Sequence, residues 1–219
     1  MADRWESEDG KVLLIRGDCR EIIPALAKVE TVVTDPVWPN ASVKMAGQDD
    51  PYGLFQQMWE SFAFVPDRAA IQLGCDSDPR FLAPVPLPFF RYVTMELSRK
   101  GYKGRLLVSG DMGFLFGEPP RSRPGLRVIP GKCNDPSSKG QETEHPCPRK
   151  LRHVEFLVEN WTNPEDTVLD PFLGSGTTAV ACIRLKRKVI GIEIDQGFFG
   201  MAMARAKREL RSPMLQMEV

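Results

Sequence analysis

An apolar run, a glycine-rich turn and a helix-forming stretch follow one another without a break. Thr167-Val168-Leu169 leads into Asp170-Pro171-Phe172-Leu173-Gly174-Ser175-Gly176-Thr177-Thr178, and Ala179 to Leu185 follows. Strand, tight turn and helix in that order build a cofactor pocket in an α/β protein, because Gly174 and Gly176 let the backbone reverse and approach a ligand with no Cβ in the way. A glycine pair alone is a weak signal. It gains weight from Glu193, which closes the next apolar run, Val189-Ile190-Gly191-Ile192, 17 residues after Gly176. A carboxylate at the tip of the second strand of a βαβ unit is placed to accept hydrogen bonds from ribose hydroxyls, and the spacing is close to the ~20 residues of the dinucleotide fingerprint. The pattern implies a nucleoside cofactor bound unusually late in the chain.

Upstream, strand and helix patterns alternate. Lys11 to Ile15 reads as a strand, then Gly17-Asp18-Cys19 and a helical stretch over Arg20 to Lys28. Thr31 to Thr34 is a second strand, stopped by Asp35-Pro36-Val37-Trp38-Pro39-Asn40, whose prolines fix an extended loop. Leu54, Phe55, Met58, Trp59 and Phe62 recur at helical spacing and predict a helix over Tyr52 to Phe64 with a core-facing aromatic stripe. Further strands fit Ala69 to Leu73, Arg91 to Leu97 and Arg105 to Val108, and helices fit Pro148 to Trp161 and Gln196 to Leu210. Residues 117–148, rich in Pro, Gly, Ser and charge, read as a loop or insertion. The expectation is one α/β domain over residues 1–219, a mostly parallel sheet with helices on both faces.

Charge is balanced overall but uneven along the chain. Residues 1–98 carry 9 Lys/Arg against 15 Asp/Glu, whereas residues 99–152 carry 12 against 5. The basic middle includes Arg99, Lys100, Lys103, Arg105, Arg121, Arg123, Arg127, Lys132 and Lys139, a cluster that suits a phosphate backbone and also serves a solvated loop. No apolar run approaches the ~18 residues of a membrane span. The polar start, MADRWESEDG, is unlike a secretory signal, and five cysteines without a Cys-x-x-Cys pair suggest reduced thiols in a cytoplasm. Cys133, His145, Cys147 and His153 match no common zinc spacing, so no metal is expected.

Ligands of an open α/β sheet bind beyond the carboxyl ends of its strands, so Asp35 and Trp38 are expected to face the crevice of Gly174 and Glu193. A carboxylate, a rigid proline carbonyl and a large aromatic suit a planar amine, the first two accepting from the amino group and the indole stacking on the ring. The competing reading is a proline-stopped turn with Asp35 as a local cap and Trp38 in the core.

These residues resemble the amino-methylating DNA methyltransferases that use S-adenosyl-L-methionine. Their Asp/Ser-Pro-Pro-Tyr/Phe/Trp motif is similar to Asp35-Pro36-Val37-Trp38, with Val37 where the second proline stands, and their Phe-x-Gly-x-Gly turn to Phe172-Leu173-Gly174-Ser175-Gly176. His145-Pro146-Cys147-Pro148-Arg149-Lys150 resembles the family's His-Pro-Thr-Gln-Lys-Pro segment, and Gly17-Asp18-Cys19 matches a further motif. Catalytic loop first and cofactor turn last is the circularly permuted order of the β class. The resemblance covers roughly residues 11–38 and 144–207.

The resemblance implies a Rossmann-like methyltransferase fold and S-adenosyl-L-methionine as cofactor. Asp170, Phe172, Gly174, Ser175, Gly176 and Thr177 would line its pocket. Glu193 would hold the ribose, Asp18 would sit beside the adenine and Arg149 would meet the carboxylate. Asp35 and the Pro36 carbonyl would accept from the target amine, with Trp38 stacking on a base flipped out of duplex DNA. Aspartate in the first motif position resembles adenine-N6 methylases more than cytosine-N4 methylases, which tend to have serine. The short stretch before His145 implies that recognition is brief or relaxed, or depends on a second subunit in a homodimer, with 99–152 as the DNA-facing segment and 117–148 contributing to recognition. A methyltransferase acting on RNA or a small molecule and a non-catalytic nucleic-acid binder remain the alternatives. A dehydrogenase fits least, since Ala179 stands where its third glycine would be.

Overall fold

Neighbouring residues of the central strands are buried on opposite sides of the sheet. Val32, Ala69, Ile71 and Leu169 join one apolar cluster, while Val33, Ala70 and Val168 join another. Strands apolar on both faces belong to a parallel sheet covered by helices on both. The computed structural model, which describes residues 3–39, 45–74, 77–103, 105–134 and 150–212, has that architecture.

In chain order the elements are β1 (Arg4–Glu6), β2 (Val12–Arg16), α1 (Cys19–Ile22), β3 (Thr31–Thr34), α2 (Pro51–Glu60), β4 (Arg68–Gly74), β5 (Phe89–Lys103), β6 (Leu106–Gly117), β7 (Lys132–Asn134), α3 (Leu151–Trp161), β8 (Thr167–Asp170), α4 (Thr177–Arg184), β9 (Lys188–Glu193) and α5 (Gln196–Leu210). Among the described residues the strands form one sheet in the order β1-β2-β9-β8-β3-β4-β6-β5-β7. The block β2-β9-β8-β3-β4 is parallel throughout, and the β5–β6 hairpin adds to β4 in antiparallel fashion. Helices α3, α4 and α5 pack on one face, α1 and α2 on the other. The expected mostly parallel α/β sheet, helices on both faces, is therefore present.

Local chemistry sets the helix starts. Asp50, with Pro51 behind it, accepts from the Gly53 amide, and Asp195 accepts from the Phe198 amide, each satisfying an amide that the first turn leaves unpaired. Helix α2 stops at Glu60 rather than at Phe64. Phe62 and Phe64 continue the apolar spacing because their rings fold back on the helix end, Phe62 stacking on Trp59 at 5.4 Å.

The largest departure from the sequence pattern is the hairpin. The strands expected over 91–97 and 105–108 run instead over 89–103 and 106–117. Gly110, Asp111 and Gly113 interrupt the apolar alternation, yet the glycines are what close pairing needs: a Cβ at Gly110 would collide with the Met95 carbonyl oxygen. Residues 117–148 are not loop throughout, since β6 reaches Gly117 and β7 covers part of the β5 edge.

Candidate active site

The sheet reverses its winding between β8 and β3. The connection after β8 passes through α4 to β9 on one side, and the connection after β3 passes through α2 to β4 on the other. At such a switch point the loops leaving the two strands diverge and open a crevice. One of those loops is the glycine turn and the other is Asp35-Pro36-Val37-Trp38, so the fold brings together two segments far apart in sequence.

The turn is held by α5 and by the tip of β9. Gly174 and Gly176 have left-handed φ values of +54° and +84°, which side chains rarely adopt. A Cβ on Gly176 would lie 2.8 Å from Ala202 Cα, so this glycine also lets the turn seat on α5. From that helix Arg205 Nη1 donates to the Ser175 carbonyl at 2.7 Å and to the Ser175 and Thr177 hydroxyls at 2.9 and 3.2 Å. The Ser175 and Thr177 side chains therefore face α5. From the β9 tip, Glu193 accepts from the Gly174 amide at 2.7 Å and the Asp195 amide at 2.8 Å, and burial raises its pKa.

Asp170 is fully enclosed at the end of β8. Its Oδ1 accepts from Thr34 Oγ1 at 2.7 Å and from the Phe172 amide at 3.1 Å. Desolvation pushes its pKa up to about 6, opposed by hydrogen bonds from Thr178, Thr34 and Phe172, with the nearby Asp35 charge adding to the rise.

In the second loop Pro36 is buried, and Trp38 packs partly against the α2-side cluster. Its indole Nε1 donates to Asp35 Oδ1 at 2.9 Å, and the Gln48 amide holds its carbonyl at 3.2 Å. Trp38 thus packs partly against the core, as the competing reading has it, and its indole is tied to the Asp35 carboxylate.

At the end of β2 the Gly17 amide donates to the Glu193 carbonyl at 2.9 Å, which brings Asp18 beside the β9 tip. Asp18 caps α1 through the Arg20 amide and takes the Arg20 guanidinium at 2.9 Å, which holds its pKa below the usual carboxylate value. Arg20 also reaches Gln57 on α2 at 2.6 Å. The same Asp-x-Arg pair recurs at Asp78 and Arg80 on an exposed turn, so it is a capping device first.

Arg149, His145, Cys147 and Lys139 lie outside the described residues, as do the side chains of Arg99, Lys100 and Lys103. Lys150 occupies the N-cap position of α3, and in its first turn His153 Nε2 lies 3.1 Å from the carbonyl of Glu96, midway along β5. Among the described residues of the basic segment, Arg105 lies apart from Arg121 and Arg123. Past Met95 and Asp111 the hairpin extends beyond the end of β4 on the crevice edge, with Arg105 exposed. Arg121 and Arg123 lie at the opposite edge, Arg121 against Glu165 and Arg123 on the Glu159 and Thr162 carbonyls at the end of α3.

Thr34, Arg205 and Arg20 escape the sequence reading. Arg205 lies in a run with Lys207 and Arg208 that reads as a solvated face, and only packing shows which cation turns inward. Ile194, 49% exposed beside Glu193, is another. A lone exposed isoleucine looks ordinary until the strand end is known.

Among the described residues no helix is long and apolar enough to cross a membrane, and no group of three or more His, Cys, Asp or Glu is placed to hold a metal.

A family model described as DNA methylase matches residues 27–204. The type II methyltransferase M.BglII of Bacillus subtilis is 33% identical over 122 residues, 56% of this chain but 31% of the relative. The matched region thus spans less than a third of that curated relative. The crystal structure of the M1.HpyAVI–SAM complex superposes with a TM-score of 0.69 at 22% identity, covering 89% of this chain and 98% of the other. PvuII DNA methyltransferase, cytosine-N4-specific, gives a TM-score of 0.68 at 16% identity over 89% and 86%. At these identities the structural likeness speaks for the fold, Rossmann-like and of the methyltransferase type.

Proposed function

The chain belongs to the DNA methylase family, and from that premise we propose that it transfers a methyl group from S-adenosyl-L-methionine to the N6 amine of adenine in DNA. The observation that carries the reading is the arrival of the Asp35 loop and the glycine turn on adjacent strands at the switch point.

The residues present fit such a cofactor. Glu193 has carboxylate lone pairs beyond those taken by two backbone amides and can accept from ribose hydroxyls. Gly174 offers bare backbone at the pocket floor. Half-buried Phe172 and exposed Ile194 supply apolar surface beside the Asp18 acceptor, a combination suited to adenine. The bound cofactor supplies a methyl group already activated on a sulfonium. What remains for the protein is to orient the nucleophile.

Asp35 and the Pro36 carbonyl accept the two amine protons of the target base, which draws the nitrogen lone pair out of conjugation with the ring and towards the methyl group. Trp38 stacks on the base. Reaching an amine within a duplex requires the base to be turned out of the helix, at about a few kcal/mol. The overhanging hairpin with exposed Arg105 lies on the edge where the backbone of that DNA would pass.

The test incubates the protein with methyl-labelled S-adenosyl-L-methionine and mixed-sequence duplex DNA, then digests the product to nucleosides. Label in N6-methyldeoxyadenosine with wild type, and its loss in Asp35→Ala, is the expected result. Label in N4-methyldeoxycytidine overturns the choice of base. Equal, background-level label from both proteins overturns the enzyme.

A further inference from the structure

The backbone ladder between β3 and β8 pairs Thr31 with Val168 and Val32 with Leu169 and goes no further. Past it, contact between the strand ends passes to side chains. Thr34, the last residue of β3 and the one before Asp35, donates its hydroxyl to Asp170 Oδ1 at 2.7 Å. The same oxygen accepts from the Phe172 amide, the first turn of chain beyond β8, at 3.1 Å. One buried atom thus joins the two loops of the crevice, and Thr34 and Asp170 are 136 residues apart in sequence.

We propose that Thr34 is a positioning residue for methyl transfer: through its hydroxyl and Asp170 it fixes the Asp35 loop relative to the glycine turn, so that cofactor and target amine meet in line. The proposal rests on the methyltransferase reading above and adds to it a residue that touches neither substrate.

Three observations support a positioning role. Thr34 and Asp170 are both almost wholly buried, at 2% and 3% exposure, so water does not stand in for a lost bond. The acceptor is a carboxylate, and hydrogen bonds to a charged group are short and resist displacement. The threonine hydroxyl is also the wrong group for an apolar core position, where valine has the same shape and no polar atom to satisfy. Val32, also on β3 and also buried, shows the apolar choice that packing alone makes.

Because in-line transfer is sensitive to small displacements, loosening this node should lower the rate of transfer more than it lowers binding. Thr34→Val removes the hydroxyl at constant shape, and Thr34→Ser keeps the hydroxyl at reduced volume. Two readouts are needed: S-adenosyl-L-methionine affinity by calorimetry, and single-turnover transfer at saturating cofactor and DNA. Thr34→Val is expected to lose roughly tenfold or more in the single-turnover rate, with a smaller loss of affinity, and Thr34→Ser to recover most of the rate. Equal defects in the two variants would assign Thr34 to packing alone, and a wild-type rate in Thr34→Val would remove it from the reaction; either overturns the proposal.

If Thr34→Val does not fold, hydrogen exchange on the wild-type protein decides. Cofactor binding is expected to slow amide exchange in 35–39 together with 171–177, and protection confined to 171–177 overturns the coupling. Wild type that neither binds cofactor nor transfers methyl groups sinks the functional reading itself, a result separate from any failure of the Thr34 variants.

Discussion

The indole N–H of Trp38 donates to Asp35 Oδ1 at 2.9 Å, so the ring and the carboxylate of one loop, proposed above to stack on the target base and to accept from its amine, orient each other. Trp38→Phe keeps a ring and removes the donor. The single-turnover rate is expected to fall by about ten- to a hundredfold, the loss of one hydrogen bond to a charged group, while S-adenosyl-L-methionine affinity holds. An unchanged rate would mean that the ring alone matters.

Gly176 combines a φ of +84° with a seat against Ala202, whereas Gly125 has a φ of +81° and open space within 4 Å of where a methyl group would stand. Gly176→Ala is expected to cost about 2–5 kcal/mol from strain and collision together, and Gly125→Ala about 1 kcal/mol from strain alone. Urea unfolding of both variants separates the two contributions. Equal losses would show that the contact with α5 is not tight.

Arg205 ties three oxygens of the glycine turn to α5. Arg205→Met leaves the buried Ser175 and Thr177 hydroxyls without this donor and is expected to destabilise by roughly 1–3 kcal/mol and to weaken cofactor binding. Arg205→Lys is expected to recover only part of the loss, because all three bonds leave one atom, Nη1, and the shorter lysine side chain does not carry its ammonium to that position. Full recovery by lysine in a thermal melt and a binding titration would reduce the role of Arg205 to charge.

Burial raises Asp170 from 3.8 to about 6 in the folded protein. A raised carboxyl pKa means that the folded state binds a proton more tightly than the unfolded chain. The stabilisation it confers is complete below about pH 4 and is lost as pH rises through about 6, a change of roughly 3 kcal/mol. Glu193 is shifted in the same direction. Asp170→Asn should therefore flatten the fall in stability over this window. Urea midpoints measured from pH 4 to 7 check it (about the range the two pKa values span), and parallel profiles for the two proteins would refute the assignment.

The parallel strands and the glycine turn were legible because each is encoded locally: Val32 and Val33 are apolar on both faces, and Gly174 and Gly176 mark a backbone that no other residue follows easily. The crevice was legible at one remove, because strand ends in an open sheet share an edge. The Asp170 and Thr34 partnership was not, since each residue alone reads as an ordinary strand terminus and only strand order makes them neighbours. The hairpin was under-read for a related reason. Gly110 and Gly113 look like interruptions in one dimension, whereas across the sheet they permit close approach of Met95 and Val93. The basic run 99–152 looked continuous, yet Arg105 and Arg121 stand at opposite edges, because β6 carries the chain the full height of the sheet between them.

The position of β8 has a consequence for how the protein comes into being. β2 and β3 are made early, but the places beside them belong to β9 and β8, the last two strands in chain order to leave the ribosome. A nascent chain that has reached residue 150 holds Asp35 and Trp38 with no pocket beside them and a gap two strands wide in its sheet. Closing that gap is a long-range pairing, which is intrinsically slow. Until it closes, the half-built sheet exposes two parallel edges to other chains.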